Sequence, residues 1–323
     1  MQALVVPEAG AQTLSSLRWT NRPQPQPGPG QVLVQTHAVG LNPVDVKLVA
    51  GGNSAWRYPH TLGLDVAGVV AAVGTGVTQF VPGQRVCGHG NLAVDGSFAD
   101  YVVTEALALA LIPESLSFET AAASLCAGLT AYQTVQRKLN LASVETVLVH
   151  AGAGGVGSMA IQLLQHAGKR VFTTVSARKQ DFVAQLNPAA MIDYRNEDVD
   201  ARISELTGGH GVDAIINTIG HPDADLPRLA YNGQLVCVLA TPESVPAGKA
   251  LSISKLDLGG AHRSGDSRQI ADLGRMATEL LALIAAGHVD PLVSRVLPRT
   301  ELVAGLEQLA ADQVVGKLVV TMA

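Results

Sequence analysis

Apolar residues in the first third of the chain fall in short, β-branched runs punctuated by glycine and proline, the pattern of strands joined by tight turns. Met1 to Pro7 predicts a first strand, and Gln31–Val39, Val66–Val73 and Gln84–Val86 predict three more. Gly74, Gly76 and Gly83 separate the last two, where a turn takes positive φ at little steric cost. The alternating prolines between Arg22 and Gly30 predict an extended connection. A compact, irregular barrel reaching about Pro113 fits this pattern.

Near Ser117 the spacing changes. Ser117 suits a helix N-cap, Glu119 its first turn, and Ala121 to Val135 supplies helix formers, so one helix is predicted there. Strands and helices then alternate. Val147-Leu148-Val149 is a short buried strand; Val156, Met159, Ala160, Leu163, Leu164 and Ala167 recur at helical spacing, with Gly168 as the stop. Arg170–Val175, Val212–Ile216 and Gln234–Leu239 predict further strands of a parallel sheet covered by helices. A last helix is predicted over Ser267–Ala286, followed by Gly287, and a last strand at Lys317–Val320.

With 323 residues, two domains are expected. The apolar fraction of 47% against 15% charged residues excludes disorder as the main description. A formal net charge of −5 without a Lys/Arg run gives no footprint for nucleic acid or an anionic membrane. Cys87, Cys126 and Cys237 are far apart and make no paired framework, which favours reduced thiols in a cytoplasmic protein. The first residues lack a secretory pattern, and the apolar runs are much shorter than the roughly 20 residues of a membrane span.

The sharpest chemical feature is Gly152-Ala153-Gly154-Gly155-Val156-Gly157, a G-x-G-x-x-G between a predicted strand and an amphipathic helix. Gly152 permits the tight turn, Gly154 lets backbone approach a pyrophosphate, and Gly157 lets helix and strand pack closely. Unpaired N–H groups at the helix start favour an anion there, so a dinucleotide is expected. At the end of the second strand an NAD site usually carries an acid for the ribose 2′-hydroxyl. This chain has Ser176-Ala177-Arg178-Lys179 instead, a hydroxyl and cations that suit the 2′-phosphate of NADPH. Arg178 and Lys179 taken singly also read as solvated residues at a helix start.

Several stretches in order resemble the medium-chain dehydrogenase/reductase superfamily: Gly40-Leu41-Asn42-Pro43-Val44-Asp45, Gly63-Leu64-Asp65-Val66-Ala67-Gly68, Gly74-Thr75-Gly76-Val77, Ala127-Gly128-Leu129-Thr130-Ala131-Tyr132 and the glycine loop. With Ile192-Asp193-Tyr194-Arg195, the chain is similar to the zinc-independent NADPH:quinone oxidoreductase branch that includes zeta-crystallin. The resemblance implies an α/β architecture. A GroES-like irregular β-barrel catalytic domain would occupy residues 1–120, a Rossmann doubly wound parallel-sheet domain 121–260, and 261–323 would return to the catalytic domain, with NADPH in the cleft between domains. It further implies that Gly152, Gly154, Gly155, Val156 and Gly157 hold the pyrophosphate. Ser176, Lys179 and Tyr194 would surround the 2′-phosphate, with Arg178 as a helper. Asn42 and Thr130 would lie near the nicotinamide, Thr218, Val238 and Leu239 would border the ribose or ring, and Gly316 and Lys317 would approach from the other domain. Read from the residues alone, Asn42 also suits a turn before Pro43, Thr130 a bond to its own helix, and Tyr194 a half-buried strand position. Asp45 and Asp65, beside proline or glycine, suit carboxylates that hold turns.

Where zinc-dependent relatives carry Cys and His, the chain has Asn42 and Leu64, and its scattered cysteines cannot form a four-Cys structural site, so no metal is expected. Cys87 with His89 and His60 with Asp65 read as structural pairs. Without a Lewis acid the acceptor must spread incoming charge itself, which favours a quinone or an α,β-unsaturated carbonyl. Asn42 would orient the nicotinamide or donate to the developing oxyanion. Lys47 stands where close relatives can carry an aromatic residue, replacing stacking with a cationic contact. An alkenal or enoyl-thioester reductase shares cofactor and fold with a quinone reductase, and a non-catalytic NADPH-binding or structural protein explains the glycine loop equally. A homodimer is implied by the resemblance alone.

Overall fold

The computed structural model describes residues 1–10 and 12–322. They form two compact units. The first comprises residues 1–129, 259–286 and 291 onward, and the second residues 130–258 and 287–290.

The first unit is built on a seven-stranded sheet in the order Val293–Pro298, Lys317–Thr321, Gln31–Gly40, Asp65–Val73, Arg85–His89 and Leu109–Leu111, with Tyr101–Glu105 also paired to Gln31–Gly40. A smaller sheet pairs Gln2–Val6 with Arg18–Asn21 and His60–Thr61. The expected strands are present, with an irregular pairing where Gln31–Gly40 meets Asp65–Val73. Such register shifts increase the local twist of a strand pair. Val32, Val34, Val66, Val70 and Val86 fill one core cluster, and Leu4, Val39, Leu41, Phe98, Leu297 and Leu318 another. Each fully buried aliphatic side chain contributes about 1.5–3 kcal/mol.

Two helices of this part differ from the sequence expectation. Pro43–Gly51 is helical: Pro43 takes the first position, and Asp45 Oδ2 accepts from the backbone N of Asn42 at 2.9 Å. The Asn-Pro-x-Asp start signal is legible, but the segment has no periodic apolar face to announce a helix. The single helix expected over Ala121–Val135 is instead Phe118–Ala123 and Cys126–Gln133, followed by a π turn at Thr134–Lys138. The break has a tertiary cause. Asp65 Oδ1 accepts from the backbone N of Cys126 at 2.9 Å, capping a second helix from outside, while Ser124 Oγ donates to Thr120 O at 2.6 Å. Asp45 thus holds local backbone, as its position near proline implies, whereas Asp65 does not hold a local turn and instead caps a helix 61 residues further along the chain.

The second unit is a six-stranded, all-parallel sheet: β1 (Thr146–Val149), β2 (Arg170–Val175), β3 (Ala190–Asp193), β4 (Val212–Asn217), β5 (Leu229–Cys237) and β6 (Ser252–Lys255). Their spatial order is β3-β2-β1-β4-β5-β6, with the reversal between β1 and β4. This is the doubly wound dinucleotide-binding topology, whose ligand crevice lies beyond the carboxyl ends of the strands at that reversal. Helix α1 (Gly155–His166) follows β1, buries Met159, Ile161, Leu163 and Leu164, and is followed by Gly168 at φ 73°. Leu148, Phe172, Ile192, Ile215 and Leu235 form the core of the sheet.

Candidate dinucleotide and acceptor sites

The connection between β1 and α1 is shaped by what a side chain would meet. A Cβ on Gly152 would sit 2.3 Å from Thr173 Oγ1, and one on Gly157 2.3 Å from Ala151 O, so both positions demand glycine. A Cβ on Gly154 would meet only Ala151 O at 3.4 Å, leaving open space over the helix start, where Gly154 is the N-cap. Gly155 and Val156 form the first turn and are partly exposed. The residues therefore fit a pyrophosphate: a cradle without side chains, facing free helix N–H groups.

At the end of β2, Ser176 is buried and precedes a single turn, Ala177–Lys179, without capping it through its hydroxyl. Arg178 is exposed and Lys179 half-buried, and Tyr194, next after β3, is 48% exposed. No carboxylate stands at residues 176–179.

Beside the glycine loop lies a cavity of about 420 Å³ lined by His150, Ala151, Thr174, Tyr194, Asn217, Ile219, His221, Asp225 and Arg228, among others. Its floor is a buried polar network. His150 Nε2 meets Asp225 Oδ1 at 2.8 Å, Asn217 Nδ2 donates to Asp225 Oδ2 at 2.6 Å, and Arg228 donates to Asp225 Oδ1 at 2.9 Å. Burial alone would raise the Asp225 carboxyl, but these three partners outweigh it and hold the group below the usual carboxylate range. Thr174 Oγ1 lies 3.1 Å from both His150 Nδ1 and the backbone N of Ala151, which ties the loop to β2. Thr218 Oγ1 donates to His150 O at 2.9 Å, so Thr218 helps hold the loop. Val238 and Leu239 follow β5, the latter 52% exposed. The sequence reading did not single out His150, Asn217, Asp225 or Arg228. His150 adjoins the loop, but Asp225 comes 75 residues later and has no local signal.

In the first unit, Asn42, Asp45, Asp65 and Lys317 meet as a buried cluster. Lys317 Nζ donates to Asn42 Oδ1 at 2.6 Å and to Leu41 O at 2.9 Å. Asn42 Nδ2 donates to Asp65 Oδ2 at 2.8 Å. Burial, and then repulsion from Asp65, push the Asp45 carboxyl up to about 8. Burial raises Asp65 to about 6, with Lys317, Asn42 and the Cys126 N–H limiting the rise. Gly316, at φ 61°, turns the chain into the strand that carries Lys317. Lys47 lies on the exposed side of the Pro43–Gly51 helix, outside this cluster. Thr130 is buried in the Cys126–Gln133 helix, where the second unit begins.

A zinc ion does not fit the cluster. Leu64 offers no donor atom, and the Asn42 oxygen already binds an ammonium, a fixed cation in that place. Among the described residues no three His, Cys, Asp or Glu side chains are grouped as metal ligands.

Residues 28–114 match the Alcohol dehydrogenase GroES-like domain family and residues 155–275 the Zinc-binding dehydrogenase family. The chain is 31% identical over 308 residues to the quinone oxidoreductase of Pseudomonas aeruginosa, covering 91% of this chain and 92% of that one. It is 30% identical over 343 residues to the trans-enoyl reductase ccsC of Aspergillus clavatus, covering 94% and 92%. The structure of mycobacterial Rv1454c complexed with NADPH superposes with a TM-score of 0.86 at 32% identity, over 99% of this chain and all of that one. The chain spans only 8–13% of the length of several polyketide synthases it also matches. Together with the barrel and the doubly wound sheet, these matches define a two-part fold of GroES-like and dinucleotide-binding type. The chain belongs to the medium-chain dehydrogenase/reductase superfamily, on its zeta-crystallin-like quinone oxidoreductase branch. No described helix is long and apolar enough to cross a membrane.

Proposed function

We propose that the protein is an NADPH-dependent reductase of quinones that works without zinc. The observation that carries the reading is the pairing of a side-chain-free cradle at Gly152–Gly157 with Ser176, in place of an acid, at the end of β2. Bound NADPH would supply a hydride. The chain's own residues do the rest. The loop N–H groups hold the pyrophosphate, Ser176, Lys179 and Tyr194 bind the 2′-phosphate, and Arg178 adds positive charge. Thr218, Val238 and Leu239, at the carboxyl ends of the later strands, border the cofactor's middle. Asn42, gripped at both ends of its amide, acts with Lys317 as a preset polar unit near the reacting ring, alongside Thr130. Its amide has no freedom to reorient toward an oxyanion, so it works by fixing Lys317. Lys47 offers a cation to the acceptor from the exposed helix face.

With no zinc ligands in the cluster, the acceptor has to delocalise the charge it receives, as a quinone does. Reduction of an alkenal or enoyl thioester is the second reading, supported by the likeness to a trans-enoyl reductase. A homodimer follows from the resemblance to the family. The test is NADPH oxidation with ortho- and para-quinones, enals, enoyl thioesters and simple aldehydes, with and without a chelator. Turnover of quinones, unchanged by chelator, is expected. Turnover of enoyl thioesters alone would favour the second reading, chelator-sensitive turnover of simple aldehydes would overturn the zinc-free mechanism, and NADPH binding without any turnover would favour a non-catalytic role.

A further inference from the structure

The carboxyl end of α1 carries a pair of imidazoles that plays no part in the dinucleotide site. His166 is the last residue of that helix, and His288 comes shortly after the helix Ser267–Ala285. Their ring centroids are 4.3 Å apart and their planes are tilted by 35°. Both side chains are exposed, and among the described residues no ring nitrogen of either has a hydrogen-bond or ion-pair partner. The backbone beneath both rings is fixed. Gln162, one turn before His166 on the same helix face, donates from Nε2 to Asp290 O at 2.8 Å and accepts at Oε1 from the Asp290 backbone N at 2.8 Å. Val289 is buried, and Gly287 takes φ 75° where the chain leaves the long helix. Residues 287–290 are thereby docked on α1, so bringing the two imidazoles onto one ligand demands little further ordering.

Neutral imidazole is a good ligand for divalent transition ions, through whichever ring nitrogen is bare. Two imidazoles bound to one ion, each with its nitrogen about 2.0–2.1 Å away, keep their ring centres roughly 4.5–5.2 Å apart between right-angled and tetrahedral geometry. The spacing of His166 and His288 is within about 1 Å of that range, and exposed rings turn readily about χ2, a broad torsion. The carboxyl end of α1 adds the negative end of the helix dipole, which favours a cation. We propose that His166 and His288 form a site for one divalent transition ion, with water in its remaining positions, and that the ion clips residues 287–290 to α1. Cu2+ binds most tightly, Ni2+ and Zn2+ less so, while Mg2+ and Ca2+, which take oxygen ligands, do not compete. The length of α1, about 17 Å, separates this site from the glycine loop, so the two are independent.

The test uses the full chain, prepared without a polyhistidine tag and titrated without NADPH. Calorimetry with NiCl2 and with CuCl2 is expected to show one ion per chain, and the EPR spectrum of the Cu2+-loaded protein is expected to show splitting from two nitrogens. His166→Ala and His288→Ala remove exposed rings, so both variants are expected to keep the wild-type Tm in metal-free buffer. Each is expected to bind Ni2+ about tenfold or more weakly, because losing either ring removes the chelate. In thermal melts NiCl2 is expected to raise the Tm of wild type and of neither variant, and MgCl2 to raise none. Ni2+ affinity unchanged in either variant, or no binding of Ni2+ and Cu2+ by wild type, would overturn the shared site. NADPH affinity, measured separately, is expected to be the same in all three proteins.

Discussion

On the proposed reading, Ser176 is the residue on which cofactor choice turns. It is buried at the carboxyl end of β2, where an acid would hydrogen-bond the ribose of NAD and repel a 2′-phosphate. Ser176→Asp is therefore expected to raise the Kd for NADPH by tenfold or more while changing that for NADH by much less. Equal changes for both, measured by fluorescence titration, would remove Ser176 from the phosphate site. The cation pair beside it has a different standing. Arg178 is exposed and Lys179 half-buried, so their attraction for phosphate is screened by solvent, and the hydroxyl and the missing carboxylate discriminate more sharply.

At the scale of elements, the glycine loop separates two demands that sequence alone runs together. A Cβ on Gly157 collides with the Ala151 carbonyl at 2.3 Å, so Gly157→Ala is expected to push α1 off the loop backbone at Ala151–Gly152 and cost about 1–3 kcal/mol of stability, read from urea unfolding. Gly154 has no such neighbour, and its φ of −81° suits alanine. Gly154→Ala is expected to fold with a loss under about 1 kcal/mol, yet to weaken NADPH tenfold or more because its methyl would stand where the proposed pyrophosphate approaches. Similar stability losses in both variants would contradict this division. The paired helices at 118–133 make the complementary point. A run of helix formers predicts one helix, but Asp65, distant in sequence, supplies a cap in its middle.

For the molecule as a whole, buried ionisable groups set the response to pH. Asp45 and Asp65 have folded pKa values raised to about 8 and about 6, so the stability they contribute is complete below the unfolded value near 4 and is lost as pH rises through 6 and 8. His60 is lowered to about 4 and His89 to about 3, chiefly by burial, so their contribution is lost as pH falls from 6.5 toward those values. The two sets oppose each other between pH 4 and 6, and between 6.5 and 8 Asp45 is left to act. Stability is expected to decline over that upper window, and Asp45→Asn, whose amide oxygen still accepts from the Asn42 N–H, is expected to flatten the decline. Parallel profiles for wild type and variant in urea titrations at pH 6 and 8 would show that Asp45 is not protonated in the fold.

The sequence by itself determined the β-rich first part, the alternation of strands and helices that follows, and the glycine loop between β1 and α1. These depend on local rules: apolar periodicity, glycine where a Cβ collides, and serine where an acid would repel. The tertiary structure alone decided that Asp225 reaches His150, that Lys317 closes on Asn42 from 275 residues away, and that Asp65 splits a helix. No local pattern encodes those contacts, because each pays for its burial with a partner brought near only when the sheets assemble.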